Sequence, residues 1–242
     1  MKAIVQSCDR YHVMAEHMLL KYEQLWPSNP FTFRVPWNEK KPEKIHDKFK
    51  TKVDLVQTDI KFKETFDGLT KDLEDDEWVY WCIDDKYPIK IDEAKANQVV
   101  DFIDSIDDSQ IVNVCFHFIR SIKNSARLLK KRNKGVSVSF DNLRFIEHNA
   151  YINNWLHQFF RVGALREFWG HLEEPHQYKA LAMDRHVKPL SGTSLALDHN
   201  ICTYGESTYK GLVTQNCKTS CEKSNIEVPD YFVGEKSQRI II

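Results

Sequence analysis

The feature that most constrains the fold is Trp78–Ile83 (WVYWCI), six residues without a charged or strongly polar side chain. A strand with one face in water alternates apolar and polar residues, whereas a strand that does not alternate is covered on both faces. In a chain of 242 residues such a strand belongs at the centre of a sheet with helices on either side. It runs directly into Asp84-Asp85, so two carboxylates sit where a buried strand comes to the surface.

The flanking pattern agrees with an α/β sheet. Residues 3–7 (AIVQS) read as a strand that stops at Cys8-Asp9-Arg10-Tyr11, and residues 12–26 read as a helix with Val13, Met14, Leu19, Leu20 and Leu25 on its apolar side. Pro27 and Pro30 break that helix before strands at 31–35 and 53–56. Phe62, Phe66, Leu69 and Leu73 fall on one helical face, 91–106 reads as a further helix, and 111–118 as a strand. Lys86-Tyr87-Pro88 reads as turn chemistry. The second half is less regular, with a basic stretch at 125–134, a strand at 136–140, an aromatic segment at 151–160 and helices at 163–172 and about 176–187. From 190 to 242 come short β-like runs such as 194–197 and polar turns. No Gly/Ser- or Pro-rich tether marks a boundary, so 1–242 is expected to be one domain with a first half (1–120) and a second half (121–242).

Composition narrows the function. With 34 Lys and Arg against 35 Asp and Glu, the net charge is −1, a poor electrostatic footprint for duplex nucleic acid. No apolar run approaches the roughly 20 residues that cross a bilayer, and 1–5 does not read as a signal peptide. Six cysteines are too sparse for a disulfide scaffold, and a reducing, cytoplasmic setting is expected.

In open α/β sheets ligands bind outside the carboxyl ends of the strands. Asp84 and Asp85 occupy such an end, and their hard oxygen donors suit Mg²⁺ or Mn²⁺ bridging to a diphosphate. The plain alternative is a solvated turn.

The segment 78–88 (WVYWCIDDKYP) resembles the acidic motif of bacterial glycosyltransferases of the GT-A fold, in particular a polysaccharide-associated group in which an apolar strand ends in Asp-Asp-Tyr. Residues 4–11 (IVQSCDRY), followed by a helix ending in Leu25-Trp26-Pro27, resemble the first strand and helix of that group, and Tyr209-Lys210-Gly211 resembles its Lys-Gly element. The chain departs from the pattern in Lys86, between Asp85 and Tyr87, and in lacking a Trp-x-x-Glu element in its second half. The resemblance implies a central, mostly parallel sheet and transfer of a sugar from a nucleotide-diphosphate donor to an acceptor hydroxyl. It further implies Mn²⁺ or Mg²⁺ at Asp84 and Asp85, with donor contacts from Asp9, Arg10, Tyr11, Asp84 and Lys210. A sugar nucleotidyltransferase is the less favoured relative, because residues 7–12 (SCDRYH) contain no Gly for a phosphate loop. A non-catalytic nucleotide or glycan binder of the same fold is the other alternative.

For an acceptor-side base the candidates are Glu173, Glu174 and Asp184, which flank or lie in the helix at 176–187. Lys130, Lys131, Arg132 and Lys134 are further phosphate candidates, but Lys210 is preferred because the adjacent Gly lets backbone approach a ligand closely. Tyr151, Trp155, Phe159, Phe160, Phe168 and Trp169 are expected to be mostly core, with a sugar-stacking ring as the alternative. His199, Cys202, Cys217 and Cys221 form a rival set of zinc ligand types, without the paired knuckles of a strong zinc signal.

Overall fold

A computed structural model of the chain describes residues 1–42, 52–116, 137–148, 155–173 and 190–233. The strands in chain order are β1 (Lys2–Gln6), β2 (Thr32–Trp37), β3 (Lys52–Gln57), β4 (Trp78–Ile83), β5 (Lys86–Ile91), β6 (Ile111–Cys115), β7 (Ser137–Phe140), β8 (Leu143–His148), β9 (Gln158–Arg161), β10 (Thr193–Leu197), β11 (Cys202–Glu206), β12 (Thr208–Tyr209) and β13 (Leu212–Val213). The α-helices are α1 (His12–Leu25), α2 (Phe62–Thr70), α3 (Glu93–Asp104), α4 (Val162–Trp169) and α5 (Gln215–Lys223).

Nine strands form one mixed sheet in the order β3-β2-β1-β4-β9-β6-β10-β8-β7. The pairings of β1 with β2 and β4, of β2 with β3 and of β6 with β10 are parallel, and β8 and β9 run against their neighbours. The fold is therefore α/β with a large, mostly parallel central sheet flanked by helices. Strands from either side of residue 120 interleave, since β9 lies between β4 and β6.

β4 is buried as its composition demands. Val79, Trp81 and Ile83 point to a core shared with Phe66 and Leu69 of α2 and with Leu165, Phe168 and Trp169 of α4. Tyr80 and Cys82 point to the opposite core, built with Met14, Met18 and Tyr22 of α1, Val99 and Phe102 of α3, and Cys217 and Cys221 of α5. Phe159, Phe160, Phe168 and Trp169 are all core residues, whereas Trp155 is half-buried and Tyr151 lies outside the described residues.

Two parts of the sequence reading are corrected. Lys86-Tyr87-Pro88 is not a turn. Asp84 and Asp85 make the turn, and β5 leaves the main sheet to pair with β11 in a separate two-stranded ribbon. Pro88 is tolerated because it lies at the register irregularity between Thr203 and Tyr204, where a missing N–H costs little. The polar stretch after 213 is not merely turns, because α5 forms there, opened by Thr214, whose side chain accepts from Cys217 N.

The carboxyl end of β4 is pinned from below. His157 Nε2 donates to the Ile83 carbonyl at 2.9 Å. A carbonyl only accepts, so Nε2 carries a proton, and in the tautomer protonated there Nδ1 accepts from Tyr22 Oη at 2.6 Å. Tyr22 Oη lies 2.8 Å from Tyr80 Oη, which lies 2.9 Å from Tyr204 Oη. Burial pushes all three phenols well above their ordinary range, so they stay neutral donors and acceptors. At the far side of the sheet, buried Arg34 of β2 makes a bidentate pair with Asp72 at 2.6 and 2.7 Å and donates to Leu69 O, tying β2 to the end of α2.

Two outcomes follow for stability. Tyr22→Phe keeps the ring and removes the donor to His157, so urea unfolding should show a loss of about 1–3 kcal/mol, the cost of unsatisfied buried polar groups. The hydrogen bond from Arg34 holds the Asp72 carboxyl at about 2, below its ordinary value of 3.8. A depressed folded-state value stabilises above the unfolded value and is lost as pH falls through the folded one. Asp72→Asn should therefore cost about 1 kcal/mol at pH 7, because the carboxylate is half-exposed and screened, and the difference from the parent should shrink as pH falls from about 4 to 2.

Candidate functional site

The chain enters the sheet at β1, moves outward to β2 and β3, and then returns to the other side of β1 as β4. The reversal leaves a crevice between the carboxyl ends of β1 and β4, the position where open α/β sheets take ligands. Ser7, Cys8 and Asp9–Tyr11 leave β1 on one side of it, and Asp84-Asp85 leave β4 on the other. The ends are joined by the Asp84 N–H to the Gln6 carbonyl at 3.3 Å.

Asp84 and Asp85 thus stand at the topological switch point. Burial, against the nearby Ser7 hydroxyl and reinforced by the Asp85 charge, pushes the Asp84 carboxyl up to about 8. Burial and then the Asp84 charge also raise the Cys8 thiol and the Tyr11 phenol, which places both groups within the field of the acid pair. Lys86 Nζ lies 3.1 Å from Asp85 Oδ1 and 3.6 Å from Glu206 Oε1. The lysine that departs from the family motif is therefore an internal counter-ion between two carboxylates. Glu206 Oε2 and Gln6 Oε1 are buried without a hydrogen-bond partner, the first beyond Lys86 and the second on the side of Phe62. The hard carboxylate oxygens of Asp84 and Asp85 fit a divalent cation of the Mg²⁺ or Mn²⁺ type.

The other expected donor contacts divide. Tyr11 reaches the crevice and packs edge-on against Phe232 at 5.2 Å. Arg10 lies over the rings of Tyr231 and Phe232, and its carbonyl accepts from Tyr231 Oη, so the short 3-10 turn Asp230–Phe232 roofs this segment. The Asp9 carboxylate is engaged elsewhere, accepting from the backbone amides of Asn38, Glu39 and Lys40 at 2.7–2.8 Å. Burial alone raises that carboxyl, but the three amides prevail and lower it. It acts as the staple for the loop after β2.

Lys210 and Gly211, with φ of 54° and 78°, form the tip of the β12–β13 hairpin, a geometry in which both central residues are left-handed. The hairpin is anchored to the acid pair, because Ser207 N–H donates to the Asp85 carbonyl at 2.7 Å. Lys210 itself lies over its neighbour Tyr209 at 5.5 Å.

Glu173 is exposed just after α4. That helix returns toward the crevice, since Trp169 packs on Phe62 at 4.7 Å and the Phe62 carbonyl accepts from Gln6 Nε2. Glu174, Asp184, Lys130, Lys131, Arg132 and Lys134 lie outside the described residues.

The four-residue zinc set is not assembled. His199 contacts Asp198 and Lys95, and Cys202 lies beside Tyr204, whereas Cys217 and Cys221 meet His17 of α1. Sequence reasoning missed Gln6, Glu206 and His17. Only strand register and helix packing bring them in, and no spacing signals that.

No family model matches the chain, and no curated protein matches it. Among solved structures it is similar to the galactosyltransferase LgtC in complex with donor and acceptor sugar analogs, at 10% identity and a TM-score of 0.42 over 69% of this chain and 59% of that one. It is also similar to TarS 1-349 of S. aureus, at 14% identity and a TM-score of 0.43 over 83% of this chain and 59% of that one. A third similarity is to A197 from STIV, at 12% identity and a TM-score of 0.34 over 88% of this chain and 87% of that one. The chain thus spans 59% of the length of the first two.

Proposed function

We propose that this chain is a metal-dependent glycosyltransferase of GT-A type, moving a sugar from a nucleotide-diphosphate donor to an acceptor hydroxyl in the building of a surface polysaccharide or glycan. One observation carries the reading: the acid pair of the motif stands at the switch point of the sheet, where open α/β sheets take ligands. In this reading residues 1–242 form one domain, with the donor held by 1–120 and the acceptor by 121–242, and the protein works in the cytoplasm.

Asp84 and Asp85 would hold Mn²⁺ or Mg²⁺. The bound cation supplies charge compensation for a diphosphate leaving group. The rest is the work of the chain. Tyr11, fixed against Phe232, offers a ring edge and a hydroxyl to the nucleoside, and Arg10 stands beside it under the Asp230–Phe232 turn. Lys210 offers a cation on a hairpin whose base is bonded to Asp85, a geometry suited to the diphosphate. Lys86 limits the repulsion among Asp85 and Glu206 when no ligand is present. Glu173, Glu174 and Asp184 remain the candidates for taking the acceptor proton.

Calorimetric titration of UDP, GDP and CDP, each with and without Mn²⁺, tests the reading. One nucleotide should bind only with the metal, and Asp85→Asn, shown folded by circular dichroism, should weaken that binding by about 100-fold or more. Unchanged binding in Asp85→Asn removes the assignment of the acid pair. Binding without turnover of any nucleotide sugar favours the non-catalytic alternative.

A further inference from the structure

A second cluster of ligand atoms lies on the opposite core from α2 and α4 and plays no part in the proposed reaction. Cys217 and Cys221 are one turn apart on α5, on its buried face, and both are fully buried. His17 of α1, also fully buried, faces them. The two sulfurs are 3.9 Å apart, and His17 Nδ1 is 3.7 Å from Cys217 Sγ.

Those separations match a specific geometry. Around a tetrahedral zinc ion, with Zn–S of about 2.3 Å and Zn–N of about 2.0–2.1 Å, two sulfurs stand about 3.8 Å apart and a sulfur and a nitrogen about 3.6 Å apart. The observed values agree within a few tenths of an ångström. A disulfide needs about 2.0 Å between the sulfurs, which the parallel side chains of an i, i+4 helical pair do not offer here. The imidazole is also oriented as a ligand would be. Its far nitrogen, Nε2, is bonded to Ser220 Oγ at 2.8 Å, which fixes the ring and leaves Nδ1 facing the thiols. Met14 Sδ lies 4.0 Å from Cys217 Sγ. Two thiols and an imidazole are the donor types zinc selects, and no oxygen ligand for Mg²⁺ or Mn²⁺ is among them.

We propose that His17, Cys217 and Cys221 bind one zinc ion that staples α5 to α1. The complete burial of all three ligands makes the ion structural, because no substrate reaches it. Its position gives it a purpose in the fold. α5 and the Asp230–Phe232 turn behind it descend from the hairpin that bonds Asp85, and that turn covers Arg10 and Tyr11, which lead into α1. The ion thus closes a loop between the two chain segments that border the crevice. On binding, the two thiols give up protons to solvent and no oxidant is involved.

The test is metal analysis of the untagged, full-length chain by inductively coupled plasma mass spectrometry. About one zinc per chain is expected. The double variant Cys217→Ser/Cys221→Ser should lose it, and Cys8→Ser should keep it. A second measurement does not depend on the folding of the double variant and uses the parent chain: zinc removed by chelator and replaced with Co²⁺ should give thiolate-to-cobalt charge transfer and intense tetrahedral d–d absorption. The chelated chain should also melt at lower temperature and regain its melting point on adding zinc. Absence of zinc together with absence of the cobalt spectrum overturns the proposal. So does zinc retained by the double variant, copper in place of zinc, or a Cys217–Cys221 disulfide found by mass spectrometry of the non-reduced protein.

Discussion

The structure depends on one buried polar cluster. His157, Tyr22, Tyr80 and Tyr204 come from four separate parts of the chain, meet in the core and end on the carbonyl of Ile83, the last residue of β4. An amide carbonyl at the end of a buried strand cannot be left without a donor, and water does not reach this one. The histidine satisfies it, the tyrosines satisfy the histidine, and the chain of hydrogen bonds fixes α1, β11 and the entry to β9 relative to β4. The direction in which Asp84 and Asp85 leave the sheet is set by what lies beneath them.

Above that cluster the electrostatics run the other way. Asp84 adjoins Asp85, and Lys86 links Asp85 to Glu206; placing carboxylates close together in a poorly solvated crevice is unfavourable. The chain relieves part of it with Lys86, while burial and the Asp85 charge raise the Asp84 carboxyl.

Local pattern was enough for elements whose partners are helices and strands of ordinary kind. The unbroken apolar run of β4, the Phe62, Phe66, Leu69 stripe of α2 and the strand ends at Cys8 and Asp84 were all legible, and they placed the candidate site at the carboxyl edge. β5 was not legible, because Pro88 and two adjacent aspartates read as a turn unless the irregular pairing with β11, more than a hundred residues away, is known. α5 was not legible because its only buried side chains are two cysteines, too few to make an apolar stripe. The cysteine spacing pointed to a soft-ligand pair but joined it to His199. The side chain that meets the pair is His17, 200 residues from Cys217, and nothing local marks it.

By itself the sequence determined that the chain builds a layered α/β fold around a doubly covered strand, and that this strand delivers two carboxylates to the surface. Side-chain chemistry and period act over a few residues, so these properties are local. The tertiary structure decided which groups surround those carboxylates. It turned Lys86 into a counter-ion between Asp85 and Glu206, assigned Asp9 to a loop, and set His17 against Cys217 and Cys221. The physical reason is that strand order and helix packing are satisfied only by the whole chain at once. A site made from both ends of the sequence exists only after the sheet has chosen where to reverse.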